Sequence, residues 1–396
     1  MKARIITGTV WMLSIVSFFT DIASEMLYPV MPAFLMSIGF SVGLIGVLEG
    51  MAEATAGLSK GYFGSLSDGM GKRVPFVRLG YALSAISKPL LAVTVFPLWI
   101  FFARTLDRLG KGVRTGARDA ILASESTDKT KARVFGFHRS LDTTGAIAGP
   151  ALALVYLNFY PGDYKTLFIL TLFPGVLAIA LTWILREKPA LPSERKPISL
   201  FSFINYWKLA PPGYRSLVKG LLFFALINSS DVFLLLQVKH AGFSDVEVIE
   251  VYILYNLVYA IVSYPVGIAA DRWGLKKTMV IGLTLFSVVY GGMAFADSRW
   301  NFILLFFLYG IFAACTESIS KAWITLLCKP QETATAIGTY TAFQSIATLC
   351  ASSLAGLIWY TLGSAALFQM AGILAFLVMI YFLRLKDPSS NYSKPN

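Results

Sequence analysis

The sequence predicts an all-α membrane protein with twelve transmembrane helices arranged as two six-helix pseudo-repeats. Three observations carry that expectation. Hydrophobic residues fill 56% of the 396 positions and charged residues only 14%, where an ordinary soluble domain has roughly 25% charged. The apolar residues, which give a mean hydropathy of +0.66, fall into runs of about 20, the length a helix needs to cross a bilayer. Lysine and arginine concentrate in alternate connections between those runs, the pattern of an even number of spans with both termini cytoplasmic.

The first span is read at Thr7–Met36, longer than a crossing requires and therefore tilted or polar at its ends. Val42–Phe63, Phe76–Phe96, Leu98–Ala123, Val134–Phe159 and Thr166–Leu185 complete the first half. Leu217–Val238, Val248–Ala270, Thr278–Ala296, Phe302–Leu327, Thr335–Leu362 and Ala365–Leu383 form the second. One set of connections holds Lys72/Arg73, Lys129/Lys131/Arg133, Arg186/Lys188/Arg195/Lys196, Arg272/Lys276/Lys277 and Lys329, joined by Lys2, Arg4, Arg384 and Lys386 at the termini. The opposite set holds Lys165, Lys239 and Arg299. The net charge of +12 is thus a topology signal, and no soluble basic face calls for a nucleic-acid partner. A cleavable signal peptide is not expected, because the first apolar run is too long and lacks a small-residue cleavage site. Cys315, Cys328 and Cys350 lack metal or redox spacing and read as packing residues.

The proline-rich, charged stretch "REKPALPSERKPISLFSFINYWKLAPPGYR" separates six spans from six. It divides the chain into a six-helix bundle at 1–186, a cytoplasmic linker at 187–212 and a second bundle at 213–396. Within it "SLFSFINYWKL" is either a short helix lying at the membrane surface or an unstructured connection. The halves echo each other: "GSLSDGMGKR" from Gly64 follows the second span and "GIAADRWGLKK" from Gly267 follows the eighth. A second echo pairs "ARVFGFHRSLDT" with "ATAIGTYTAFQS" in the fifth and eleventh spans. Parallel repeats of this kind build transporters whose substrate site lies between the halves near the midplane.

These residues resemble the major facilitator superfamily over essentially the whole chain. The family's loop motif G-x-x-x-D-[RK]-x-G-[RK]-[RK] is matched by Gly267, Asp271, Arg272, Gly274, Lys276 and Lys277, with one extra residue. It is matched again by Gly64, Asp68, Gly71, Lys72 and Arg73, with Gly69 where a basic residue is usual. The resemblance implies a gate in which the glycines allow close helix approach and the aspartates cap or pair with a neighbouring helix N-terminus. Gly136, Gly145, Gly149 and Pro150 stand at the G-x8-G-x3-G-P spacing that resembles the antiporter motif of family exporters. There small residues pack the fifth helix on the opposite half and Pro150 bends it. "PVMP", Pro29 to Pro32, is similar to the first-span motif of the twelve-span drug:proton antiporters.

The fourth span carries Arg104, Arg108, Lys111, Arg114 and Arg118 near one helical face. At 1.5 Å per residue Arg104 lies about 9 Å and Arg108 about 15 Å from the outer end. Asp21 and Glu25, one turn apart in the first span, lie about 20 and 27 Å from the cytoplasmic end. The resemblance makes both helices cavity-lining, so Asp21 is expected to face Arg108 and Glu25 to face Arg104. "RLGKG" at Arg108–Gly112 resembles the family's R-x-x-Q-G, whose arginine is linked to proton coupling, with Lys111 in place of glutamine. Asp21, Glu25 and Arg108 are therefore the expected proton-coupling residues. Glu49, Glu53, Lys88, Asp107, Asp119, His138, Arg139 and Asp142 supply further partners. The excess of basic groups on the fourth span lets an anionic substrate act as counter-ion. Arg104 and Lys111 would contact it, with Asn228, Asp231, Glu317 and Trp323 on the other wall beside aromatic residues such as Tyr255. Glu317 and Lys321 are equally readable as a self-neutralising i,i+4 pair.

The expected function is secondary active transport of a small organic molecule, as proton-coupled efflux across a bacterial-type plasma membrane by a monomer. The proton gradient is the energy source and no cofactor is called for. Proton-coupled import of an organic anion is the alternative. A channel lies further off, as does a lipid-acting enzyme: the chain has no H-E-x-x-H, no plausible Ser/His/Asp set and no phosphate-binding loop.

Overall fold

A computed structural model describes residues 5–28, 30–186 and 202–385. Pro29, most of the linker (187–201, with Lys188, Arg195 and Lys196) and the terminal Lys2, Arg4 and Lys386 lie outside the described residues. The described chain is all-α, with helices α1 (Gly8–Glu25), α2 (Met31–Ser37), α3 (Val42–Met70), α4 (Val74–Leu90), α5 (Pro97–Ser124), α6 (Lys131–Phe159), α7 (Tyr164–Leu170), α8 (Leu172–Thr182) and α9 (Ser202–Leu209). They continue as α10 (Pro212–Ala225), α11 (Val232–His240), α12 (Asp245–Trp273), α13 (Leu275–Met293), α14 (Arg299–Leu326), α15 (Thr333–Leu362) and α16 (Ser364–Arg384). Helix α9 forms from the linker segment that was open between a helix and a loop.

The first, sixth and seventh spans are each broken into two helices, where the sequence suggested continuous ones. Pro32 sits in the first turn of α2, where its missing N–H costs no intrahelical bond. Pro174 cannot donate to Leu170, the last residue of α7. Between α10 and α11, "INSSD" offers short polar side chains that compete with the helix ladder, and the Ser230 amide donates to Ser352 Oγ at 3.2 Å. Among the described residues, six helices are long and apolar enough to cross a membrane. The rest fall short because they are interrupted or charged.

Boundaries follow local chemistry. Ser41, Ser298 and Thr7 accept from the amides of Leu44, Asn301 and Val10 to cap α3, α14 and α1. Ser244 and Glu247 form a reciprocal capping box at α12. Gly71 ends α3 at φ 61° and Gly274 separates α12 from α13 at φ 101°. Both are motif glycines, and the turn needs a backbone that side-chain-bearing residues rarely adopt.

The chain forms two compact units. Unit 1 comprises Met1–Glu125, Leu141–Leu209 and Lys329–Ala342; unit 2 comprises Ser126–Ser140, Ala210–Cys328 and Phe343–Asn396. In unit 1, α3 and α4 both pack on α5, and α4 on α8; in unit 2, α12 and α13 both pack on α14, and α13 on α16. The sequence repeat is thus a repeat of packing. Leu27, Phe34, Leu35, Leu48, Ile100 and Phe168 form an apolar core in unit 1. Unit 2 is centred on Phe224, Phe286, Tyr290 and Phe312, with Phe286 and Tyr290 stacked at 3.9 Å. Cys315 is buried at the α13–α14 contact, where its Cβ would meet any side chain placed at Gly282. The residues left exposed include Phe173, Trp183, Phe295, Trp300 and Tyr360, large apolar groups suited to lipid and to its interface.

The repeat extends to a helix C-terminus in each unit. Arg78 at the start of α4 donates to the carbonyls of Thr182, Trp183 and Leu185 after α8. Lys276 at the start of α13 donates Nζ to the Leu383 and Leu385 carbonyls at 2.7 and 2.6 Å at the end of α16. A cation there satisfies orphan carbonyls and meets the negative end of the helix. Lys276→Met is expected to cost about 1 kcal/mol, seen as a fall of a few degrees in thermal unfolding of the detergent-solubilised protein.

Candidate functional site

In unit 1 the basic stripe on α5 is not left bare. Arg104, 7% exposed, makes a fork with Glu49 on α3: Nε and Nη2 donate to the two carboxylate oxygens at 2.9 and 3.0 Å. Arg108 lies 3.2 Å from Glu53 and 3.8 Å from Glu49. Lys88 on α4 donates to Asp107 at 2.8 Å. Arg118 contacts Asp119 at 3.0 Å and Asp142 on α6 at 3.9 Å. Arg114 is buried with its guanidinium 4.6 Å over Tyr81 and one nitrogen donating to Ser84.

This overturns the expected pairing of Asp21 with Arg108 and Glu25 with Arg104. The carboxylates that claim both arginines come from α3, one turn apart at Glu49 and Glu53. Asp21 and Glu25 have no cation within 4 Å among the described residues, and Arg104 and Arg108 are taken by Glu49 and Glu53. Lys111 is exposed and, among the described residues, makes no ion pair within that distance. The basic excess of α5 is met in part by carboxylates on α3, on α5 itself and on α6, with Arg114 and Lys111 outside these pairs.

The antiporter-like glycines divide their work. A Cβ on Gly145 would lie 2.5 Å from the Phe18 carbonyl and 3.1 Å from Asp21 Cβ, and one on Gly149 would lie 2.7 Å from the Ile22 carbonyl. These two press α6 onto α1 of the same half, beside the free carboxyls, and not onto the opposite half as expected. Only Gly136 meets the second half, at the Ser263 carbonyl of α12. Pro150 lies inside a helix that runs unbroken through it.

The two loop motifs form a matched pair of latches. In unit 1, Asp68 Oδ2 accepts from the Thr335 amide at 2.7 Å and its hydroxyl at 2.9 Å, at the start of α15. In unit 2, Asp271 accepts from the Ala132 and Arg133 amides at 3.0 and 3.1 Å, at the start of α6. Each aspartate satisfies orphan N–H groups on a helix belonging to the other sequence repeat. Gly64 and Gly267, one turn earlier, face the carbonyls of Ala334 and Ala132 so closely that a Cβ would lie 2.4 and 2.5 Å away. Arg73 replaces the basic residue missing at Gly69: it pairs with Asp68 at 3.3 Å and donates to the Pro330 carbonyl at 2.8 Å. Lys72 and Arg272 are exposed and Lys276 serves α16, so these motif cations stand outside the latches.

In unit 2, Asp231 ends the break before α11 and accepts from the Tyr309 hydroxyl at 2.6 Å. Glu317 pairs with Arg139 of α6 at 3.6 Å, a partner the sequence did not single out over Lys321. Arg139 lies 5.0 Å over the Tyr259 ring. Asn228 is in the same break, partly exposed. Trp323 exposes 1% and packs on Phe382 at 6.0 Å; it is a core residue and not a cavity wall. The sequence reading passed over Tyr309, whose signal was the density of tyrosines at 252, 255, 259, 290 and 309 in an apolar half.

Two predictions follow from the Asp68 latch, both readable from spin labels on the exposed Lys72 and Lys329 positions. Gly64→Ala forces the α3–α15 contact apart, so the distance distribution should shift outward, with Lys276→Met giving the wild-type distribution. Asp68 lies beyond the second span, and burial pushes its carboxyl up to about 6 against Arg73 and the Thr335 donors. Opened to water, it returns to the ordinary carboxylate range, so the engaged latch binds the proton more tightly. Lowering pH from 7 to 5 should therefore raise the engaged population, and Asp68→Asn should weaken that pH dependence.

The model of the Major Facilitator Superfamily matches residues 13–249 and again 220–396. An uncharacterized MFS-type transporter of Methanocaldococcus jannaschii is 33% identical over 362 residues, covering 90% of this chain and 89% of the relative. Multidrug resistance protein MdtH of Aeromonas hydrophila is 23% identical over 334 residues, covering 84% and 80%. The crystal structure of the human organic anion transporter MFSD10 (TETRAN) shares the fold with a TM-score of 0.79 at 18% identity, covering 94% of this chain and 98% of that one.

Proposed function

The chain belongs to the major facilitator superfamily, a multi-pass membrane transporter and not an enzyme, and from that premise we propose that it exports a small organic molecule in exchange for protons. The observation that carries this reading is the stranded pair on α1. Every arginine that was expected to neutralise Asp21 and Glu25 is held by another group, yet both carboxyls lie at membrane depth. An anion there without a counter-ion is costly, and a bound proton removes the cost. Arg104 and Arg108, fixed on Glu49 and Glu53, hold the surrounding charge in place, and Lys111 is the mobile cation that can approach a carboxylate once its proton has left.

Export is supported by the antiporter-like spacing Gly136, Gly145, Gly149, Pro150 and by the multidrug-resistance relative. In this reading the protein sits in a bacterial-type plasma membrane with both termini cytoplasmic. The latches at Asp68 and Asp271 join the cytoplasmic ends of the repeats and break when the site opens inward. Anion import has less to rest on in this reading, since Arg104, Arg108 and Arg118 of the stripe already have carboxylate partners.

The substrate class is found first by comparing the metabolites retained and leaked by a deletion strain. In inside-out vesicles, uptake of that compound, or of ethidium as a reporter, should collapse with a protonophore. Asp21→Asn and Glu25→Gln should each reduce gradient-driven uptake by tenfold or more while leaving exchange without a pH gradient largely intact. Full gradient-driven uptake in both variants would remove the proton from these residues.

A further inference from the structure

Within unit 2, and resting on the transporter reading above, we propose that Asp231 and the tyrosines around it seat a positively charged, ammonium-type group of the transported molecule. Asp231 occupies the N-cap position of α11 but makes no side-chain bond to that helix. An aspartate there ordinarily caps. This one turns away from its own helix and takes the Tyr309 hydroxyl at 2.6 Å.

It is partly exposed, and no cation of the described residues lies within 4 Å of it, while the other carboxylate of the cluster, Glu317, already has Arg139. A carboxylate held only by hydroxyl donors at membrane depth lacks its counter-charge.

The surroundings suit a cation and repel an anion. Tyr255 lies 5.0 Å from Tyr309 and 6.1 Å from Tyr259, and Tyr290 lies 6.5 Å from Tyr309, so the carboxylate sits against a cluster of aromatic rings, whose faces are negative at their centres. The cluster already shows what such a face attracts, because Arg139 rests 5.0 Å over Tyr259. Among the described residues, two further oxygens of unit 2, Asn228 Oδ1 and Tyr290 Oη, are buried with no partner in hydrogen-bond geometry. Asn228 Oδ1 can only accept, and an ammonium N–H is what it lacks.

The test is equilibrium binding to the purified full-length protein in detergent, with no ion gradient, using benzylammonium and benzenesulfonate as matched aromatic probes of opposite charge. The ammonium should bind at least tenfold more tightly than the sulfonate. Asp231→Asn should abolish that preference, and Asp231→Glu should keep part of it. Tyr255→Leu, which leaves every charge in place, should weaken ammonium binding about fivefold and serves if Asp231→Asn does not yield monodisperse protein. Equal affinity for the two probes, tighter binding of the sulfonate, or an unchanged preference in folded Asp231→Asn would each overturn the proposal. Failure of proton coupling would leave this binding intact, and protonophore-sensitive transport without ammonium binding would overturn only the present inference.

Discussion

A charge inside a bilayer must be paired, wetted or discharged, and unit 1 is organised by that demand. The cost of an isolated ion at the midplane, at least about 3 kcal/mol, exceeds what most single contacts return. Arg104, Arg108, Lys88 and Arg118 therefore dictate what stands on the neighbouring helices. Glu49 and Glu53 on α3, Asp107 on α5 itself and Asp119 follow from them. Removing one partner of such a buried pair is far more damaging than removing both, so this lattice ties α3, α4 and α5 into one body. The carboxyls outside it, Asp21 and Glu25, are free to do something other than hold the protein together.

The latches show a second use of unsatisfied polarity. A helix N-terminus presents four N–H groups with no intrahelical partner. At α6 and α15 an aspartate from the other repeat supplies the acceptor. The bond therefore joins elements far apart in sequence through backbone donors, with the Thr335 hydroxyl added at α15. Because the same arrangement occurs at Thr335 and at Ala132, duplicating one six-helix segment produces both. Arg73 is an addition to the first copy and has its counterpart only in the longer Arg133–Asp271 contact at 3.7 Å.

Fold class and span positions were legible because they rest on one-dimensional properties: apolar run length, charge placement and a repeat of motifs. The latch was legible at the level of Gly64, Asp68, Gly267 and Asp271 because glycine and aspartate at that spacing have few structural uses. Pair identities were not. Depth along the membrane made Asp21 and Arg108 plausible neighbours, but depth leaves the helix azimuth undetermined, and a rotation places Glu53 there instead. Glu49 and Glu53 at i,i+4 on one face of α3 were the available hint. Trp323 failed for a related reason, since an aromatic residue near a charged pair fits a wall or a core equally well until its face is known. The broken spans were obscured because hydropathy counts residues and does not see a missing hydrogen bond.

At Gly64, Gly136, Gly267 and Gly338 the opposing atom is a backbone carbonyl, of Ala334, Ser263, Ala132 and Lys60 respectively. A clash between two side chains can be relieved by trimming either one, so such contacts drift together over time. A carbonyl is common to every residue and cannot be trimmed. Such a contact constrains the glycine and places no demand on the side chain of the residue across from it.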